Sequence, residues 1–332
     1  MTAWEVVARG VMKKTERMHP TVGPGQLLVR VTAVSLNYRD LLVVRGQYDP
    51  RMPLPRVPGS DCCAVVVAGG PDTTLNPGDR VIPSFHSTWF DGPITDGARK
   101  GDLGGSVDGV LQEEFVVDER AVVRAPDHLT DVEAACLPCA GVTAWRALKV
   151  DADLQPGQTV LTLGTGGVSV FATQIAVAMG ARVAITSSSD DKLATLREMG
   201  AEFTVNYQTN EQWGRAVRDW SPADVVVELG GAGTLDQSLT AVATGGHIAL
   251  IGVLDGVKTE LAVTRIVMRA VRVQGVIVGS CADLQDLCDF LVAHPDIKPI
   301  VHEVYPFERA DEALSALARG EHIGKIAVSM TV

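Results

Sequence analysis

The sequence predicts an α/β protein: a doubly wound parallel sheet with helices on both faces, joined to a barrel-like, mostly β region. Three observations carry this. Up to about residue 125, short β-rich runs alternate with turn signals. From about residue 157 the texture becomes strand–helix repetition, which implies a parallel sheet covered on both sides. At the start of that repetition, an apolar run passes directly into Gly164-Thr165-Gly166-Gly167-Val168-Ser169.

Each element has its own signal. Residues 27–34 and 62–67 read as strands, and Asn76-Pro77-Gly78-Asp79 as a turn into a further strand at Arg80. Residues 159–163 form a short apolar strand. The helix over 168–179 follows, with Val168, Phe171, Ile175 and Ala178 on one face. A strand at 182–186 and a helix at 190–199 come next. Later strands are expected around Val205 and at 224–228, 247–251 and 273–278. Beyond residue 282 the pattern gives a helix, an extended piece at 300–305, a helix at 308–319 and a last strand at 325–330.

Composition limits the partners. The 332 residues suffice for two domains, and 46% hydrophobic against 21% charged residues is an ordinary globular balance. No apolar run approaches the roughly 20 residues of a membrane span, so no membrane partner is expected. The N-terminal stretch lacks the long apolar run of a secretory signal, which gives a cytoplasmic expectation. A net charge of −11 disfavours nucleic acid as a partner. Six cysteines in a chain of this length are too sparse for a disulfide scaffold. Cys136 and Cys139 form a C-x-x-C, but no second pair follows at zinc-finger spacing.

The glycine loop has a physical purpose. A glycine at the strand end allows a tight turn, and a second lets backbone approach a pyrophosphate. The next helix then points its N-terminal amides at that anion. Ser169 stands where the fingerprint has its third glycine. The second strand bears on the choice of nucleotide. Sites for NAD place an acid about 20 residues after the loop. Here Thr186-Ser187-Ser188-Ser189 ends the strand, and Asp190 and Asp191 fall where a helix uses them as cap and first-turn residues. Hydroxyls suit a 2′-phosphate, and NADPH is the expected cofactor. Lys192 is either the matching cation or a solvated helix charge.

The chain resembles the zinc-independent medium-chain dehydrogenase/reductases, close to their quinone oxidoreductase-like branch. The segments that carry this are the run from Asn37-Tyr38-Arg39-Asp40 through Tyr48, then Val57-Pro58-Gly59-Ser60-Asp61, then Leu137-Pro138-Cys139-Ala140-Gly141-Val142-Thr143-Ala144-Trp145. Asn206-Tyr207, Glu228-Leu229-Gly230-Gly231, Gly252-Val253 and Gly324-Lys325-Ile326 complete the order. The resemblance implies a GroES-like β-barrel domain over residues 1–128 and 282–332, and a Rossmann domain over 129–281. It also implies a homodimer joined near the strand at 273–278. Gly164, Thr165, Gly166, Gly167 and Val168 would hold the pyrophosphate. Ser187, Ser188 and Lys192 would face the 2′-phosphate, with Tyr207 near the adenosine. Thr143, Gly230, Gly252, Val253 and Leu254 would lie near the nicotinamide riboside, bordered by Gly279, Ser280 and Lys325.

Zinc-using relatives carry Cys, His and Glu where this chain has Asn37, Ser60 and Asp61. Only Cys139 matches a ligand position, and one thiol does not hold a catalytic zinc. No metal is therefore expected. Without a metal, substrate oxygen must be polarised by hydrogen bonds, which favours quinones and α,β-unsaturated carbonyls over simple ketones. Asn37 and Tyr48 are the candidate catalytic residues. A small-molecule carbonyl or quinone is the expected partner. Two other readings stand beside this one: a zinc-free alcohol/ketone dehydrogenase, and an NADPH-binding protein with little catalysis.

Overall fold

The computed structural model describes residues 1–330, and the chain divides into two units. One unit comprises Met1–Val142 and the chain from Val278 onward; the other is Thr143–Ile277. In chain order the strands are β1 (Thr2–Ala8), β2 (Val11–Glu16), β3 (Gln26–Ser35), β4 (Asp61–Gly69), β5 (Arg80–Pro83), β6 (Glu114–Asp118), β7 (Val122–Arg124), β8 (Thr159–Leu163), β9 (Arg182–Ser187), β10 (Phe203–Asn206), β11 (Ala223–Glu228), β12 (Val242–Leu250), β13 (Arg272–Gly275), β14 (Val301–Pro306) and β15 (Lys325–Ser329).

In the first unit β3 is the organising strand. It pairs antiparallel with β4 along its length, with β6 over Gln26 to Arg30 and with β15 over Ala33 to Ser35. Register shifts between Leu28 and Val29 and between Val31 and Ala33 mark bulges, which curve the sheet. Leu27, Val29, Val31 and Val34 of β3 pack with Ile326 and Val328 of β15, and with Phe115 and Val117 of β6, in one core. The C-terminal tail belongs here because β15 completes this sheet and because the Trp4 indole donates to Phe307 O at 2.8 Å.

In the second unit the strand order is β10-β9-β8-β11-β12-β13, all parallel. β8 is buried along its whole length, as a central parallel strand requires. Strand order reverses between β8 and β11. The glycine loop therefore leaves the carboxyl end of β8 at the topological switch point, where open α/β sheets bind ligands. Among the described residues, no helix is long and apolar enough to cross a membrane.

Several boundaries differ from the sequence expectation. The units divide after Val142 and after Ile277, not after residues 128 and 281. The helical stretch Asp131–Ala134 and Leu137–Gly141 packs on β3 and β4, which keeps it in the first unit. The hairpin of β1 and β2 carried no sequence expectation. β13 covers Arg272–Gly275 and not 273–278; beyond it, Val278 adopts a positive φ of 51°. β12 begins at Val242, five residues before the expected start at 247. Ser189, not an aspartate, caps the helix Asp190–Glu198, accepting the Lys192 N–H, while Asp190 and Asp191 occupy its first turn.

Candidate active site

The dinucleotide loop is built as its residues dictate. Gly164 takes a φ of 74°, the left-handed region that a side chain disfavours, and its N–H donates to Thr186 O at 2.8 Å. Gly166 precedes the helix Gly167–Ala178, whose first turn presents unpaired amides. Ser169 explains the departure from the glycine fingerprint: it is fully buried and its hydroxyl donates to Leu163 O at the end of β8. Thr165 and Val168 lie in the same turn, Thr165 buried and Val168 half-buried.

The three serines at the end of β9 separate. Ser187 is buried and its Oγ accepts the Ser189 N–H at 3.3 Å, while Ser188 is exposed. Tyr207 is partly exposed and its N–H donates to Ser187 O at 3.0 Å, which brings it beside the strand end. Lys192 sits half-buried one helical turn beyond.

A buried carboxylate anchors the loop after β11. Glu228 is fully buried, and its Oε1 accepts the N–H of Gly230 at 2.8 Å, the N–H of Gly231 at 3.0 Å and the Thr234 hydroxyl at 2.5 Å. Its Oε2 accepts the Ser238 hydroxyl. Gly252 must be glycine, since a Cβ there would stand 2.2 Å from Leu229 O. Val253 and Leu254 are exposed, and Thr143 is buried. In the first unit, Gly279 lies against Val142. Ser280 caps the helix Cys281–Ala293, accepting from Asp283 N–H while its own N–H donates to Asp283 Oδ2 at 2.7 Å.

The first unit brings Asn37, Ser60, Asp61, Cys139 and Lys325 into one hydrogen-bonded chain. Asn37 opens the helix Tyr38–Val44, and its N–H donates to Asp40 Oδ2 at 2.8 Å. The Lys325 ammonium donates to Leu36 O at 2.6 Å and to Asn37 Oδ1. Asn37 Nδ2 donates to Ser60 Oγ at 3.3 Å, and Ser60 donates to Asp61 Oδ1 at 2.7 Å. The Cys139 N–H donates to Asp61 Oδ2 at 3.0 Å. Burial pushes the Asp61 carboxyl up; Lys325, Ser60, Asn37 and the Cys139 amide oppose that push. The ammonium of Lys325, expected at the nicotinamide, is thus spent on Asn37. No sequence pattern pairs residues so far apart.

Tyr48 stands beside this chain, its ring partly exposed under the Arg39 guanidinium at 4.3 Å. Arg39 is fixed in turn: it donates to Leu103 O at 2.6 Å and to Asp102 Oδ2 at 2.8 Å, and lies 3.6 Å from Asp40. Burial raises the Tyr48 phenol above its ordinary range, and Arg39 opposes the rise, so Tyr48 keeps its proton at neutral pH. His86 is buried beside Phe85 and Trp89, and burial lowers it to about 4. Neither ring nitrogen of His86 has a hydrogen-bond partner among the described residues.

Metal coordination does not fit these residues. Asn37 and Ser60 are neutral, and both oxygens of Asp61 already accept hydrogen bonds. Burial pushes the Cys139 thiol up, and the Lys325 ammonium on Asn37 repels a cation. Among the described residues there is no group of three or more His, Cys, Asp or Glu side chains that could hold a metal.

Asp40 yields a pH test. Burial is the largest cause that raises its carboxyl from 3.8 to about 6, with Arg39 opposing. The folded-state value lies above the unfolded one, so the unfolded chain loses this proton first. Asp40 therefore costs stability progressively as pH rises from about 4 to 6, by about 3 kcal/mol in all. Urea midpoints of Asp40→Asn compared with wild type across that window should show the variant gaining relative stability as pH rises. Parallel curves would contradict it.

The chain matches the family model of the alcohol dehydrogenase GroES-like domain over residues 23–127 and that of the zinc-binding dehydrogenase over residues 167–293. It is 39% identical over 319 residues to a zinc-type alcohol dehydrogenase-like protein of Schizosaccharomyces pombe, covering 93% of this chain and 92% of that one. A solved Sinorhizobium meliloti structure named as an alcohol dehydrogenase is 39% identical, with a TM-score of 0.93 over 99% of this chain and 98% of the other. An acryloyl-coenzyme A reductase of Metallosphaera sedula is 29% identical over 94% of each chain. With a GroES-like β domain and a Rossmann domain in these units, the chain belongs to the medium-chain dehydrogenase/reductase family of oxidoreductases.

Proposed function

We propose that the protein is a zinc-independent, NADPH-dependent reductase of α,β-unsaturated carbonyl or quinone-type small molecules. The observation that supports this is the Lys325–Asn37–Ser60–Asp61 chain, in which the neutral Asn37 and Ser60 stand at two ligand positions of zinc-using relatives and are engaged in hydrogen bonds beside an ammonium. The bound cofactor supplies a hydride. The protein's own groups then have two tasks. Asn37 orients and polarises the substrate oxygen by hydrogen bonding. Tyr48, protonated at neutral pH and held by Arg39, donates a proton to the enolate or quinolate oxygen. Delocalised developing charge suits such a site, whereas the alkoxide from a simple ketone needs a stronger Lewis acid.

The M. sedula relative's name, a reductase, supports this reading; the S. pombe and S. meliloti names favour alcohol–ketone chemistry. NADPH consumption with a panel of quinones, enones and ketones separates them. Turnover of enones or quinones is expected. Turnover of alcohols and ketones alone would favour the second reading, and binding without turnover would leave a cofactor-binding protein. Elemental analysis should find no stoichiometric zinc, and chelators should not inhibit; one tightly bound zinc per chain would defeat the metal-free mechanism.

We further propose a homodimer paired through β13. This strand is the sheet edge and is exposed throughout, and an unpaired edge is a template for a second copy. Light scattering at micromolar concentration should give twice the chain mass; a monomer would contradict it.

A further inference from the structure

We propose that Lys325 is a positioning residue: its ammonium pins the Asn37 amide with the oxygen inward, and so presents the amide nitrogen as the donor that meets the substrate oxygen. This rests on the reduction chemistry proposed above for the same site.

The orientation follows from donor chemistry. An amide side chain can present either end, but an ammonium only donates. Lys325 and Asn37 are both buried, and Nζ faces Asn37 Oδ1. The reversed amide would set N–H groups against N–H groups in a buried site, leaving donors on both sides unpaired. The far end agrees: Nδ2 faces the Ser60 oxygen, and the amide helps hold down the Asp61 carboxyl. The Asn37 backbone is already fixed by its bond to Asp40, so only the amide remains to be set.

The chain also has a direction. Donation runs from the ammonium to the Asn37 oxygen, from the Asn37 nitrogen to Ser60, and from Ser60 to Asp61. A positive charge on the amide oxygen makes the amide N–H a stronger donor, and successive bonds polarise one another. The weakest link is the Asn37–Ser60 bond at 3.3 Å, beyond the usual N–H···O range, so the amide hydrogen is available to a substrate oxygen at little loss. Electrophilic assistance that relatives draw from a metal is here carried by a lysine acting through an amide.

Two readouts test this on the full-length protein. In the first, selectively ¹⁵N-asparagine-labelled protein gives an Asn37 amide pair, identified by its loss in Asn37→Asp. That pair should shift in Lys325→Met and stay near its place in Lys325→Arg. In the second, Lys325→Met should lower kcat about tenfold to a hundredfold with little change in KM for NADPH. The same substitution in an Asn37→Ala background should cost almost nothing further. Asn37→Asp keeps the acceptor for Lys325 but lacks the donor, so it should fold well and lose as much kcat as Asn37→Ala. An unmoved amide pair, equal losses from Lys325→Met in both backgrounds, or a fully active Asn37→Asp would each overturn the proposal. If no enone or quinone is reduced at all, the proposed function falls, and the amide resonance alone decides the role of Lys325.

Discussion

Glu228→Ala is expected to destabilise the protein by about 3–5 kcal/mol and to weaken nicotinamide cofactor binding with it. The carboxylate is fully buried and takes two backbone N–H groups and two hydroxyls, from Gly230, Gly231, Thr234 and Ser238. Removing it leaves those donors buried without an acceptor, each at a cost of roughly 1–3 kcal/mol where solvent cannot enter. It also frees the turn at Gly231, whose φ of 78° is held by the same bonds. Gly230 belongs to the segment expected near the nicotinamide riboside, so loosening this turn should reach the cofactor. Glu228→Gln separates charge from shape: it keeps one oxygen acceptor and the volume, and its NH₂ can donate to a hydroxyl. It should lose less than half of what Glu228→Ala loses. Urea unfolding of the three proteins measures this. A loss within 1 kcal/mol for Glu228→Ala would mean that the turn holds itself.

The parallel sheet was legible because its physics is local. β8 is a continuous apolar run, its exit is a glycine turn, and the helix after it repeats apolar residues at helical spacing. The β1–β2 hairpin was not legible. β2 reads Val-Met-Lys-Lys-Thr-Glu and is exposed or half-buried throughout, so its alternation is masked by charge. At the site, Asn37 and Tyr48 were visible as residue types, but their partners were not. The Lys325–Asn37 bond joins positions 288 residues apart, and it forms only because β15 closes onto β3. The Ser187-Ser188-Ser189 run shows a finer limit. Its composition suggested one hydroxyl cluster, yet strand alternation turns Ser187 inward and Ser188 outward, and Ser189 caps the next helix.

That separation sharpens the expected cofactor preference. NADPH should bind more tightly than NADH, and Lys192→Ala should lose about tenfold to a hundredfold in affinity for NADPH with little change for NADH, the worth of a charge-assisted contact of roughly 1.5–3 kcal/mol. No acid stands at the end of β9 to bind a free ribose 2′-hydroxyl; Asp190 accepts from the Asn206 amide at 2.9 Å instead. Ser187 is buried and its Oγ accepts the Ser189 N–H, which leaves its own O–H to donate inward. The exposed hydroxyl is Ser188, one turn of chain before Lys192. Ser188→Asp should therefore invert the preference, since a carboxylate repels the phosphate and accepts from the free hydroxyl. Raising salt should weaken NADPH binding by wild type more than by Lys192→Ala, because only the former keeps the ion pair. Titration of both cofactors against wild type and the two variants measures all of this. Equal or tighter NADH binding by wild type, unmoved by Lys192→Ala, would show that the end of β9 reads a ribose hydroxyl without an acid and that Lys192 is an ordinary solvated helix charge.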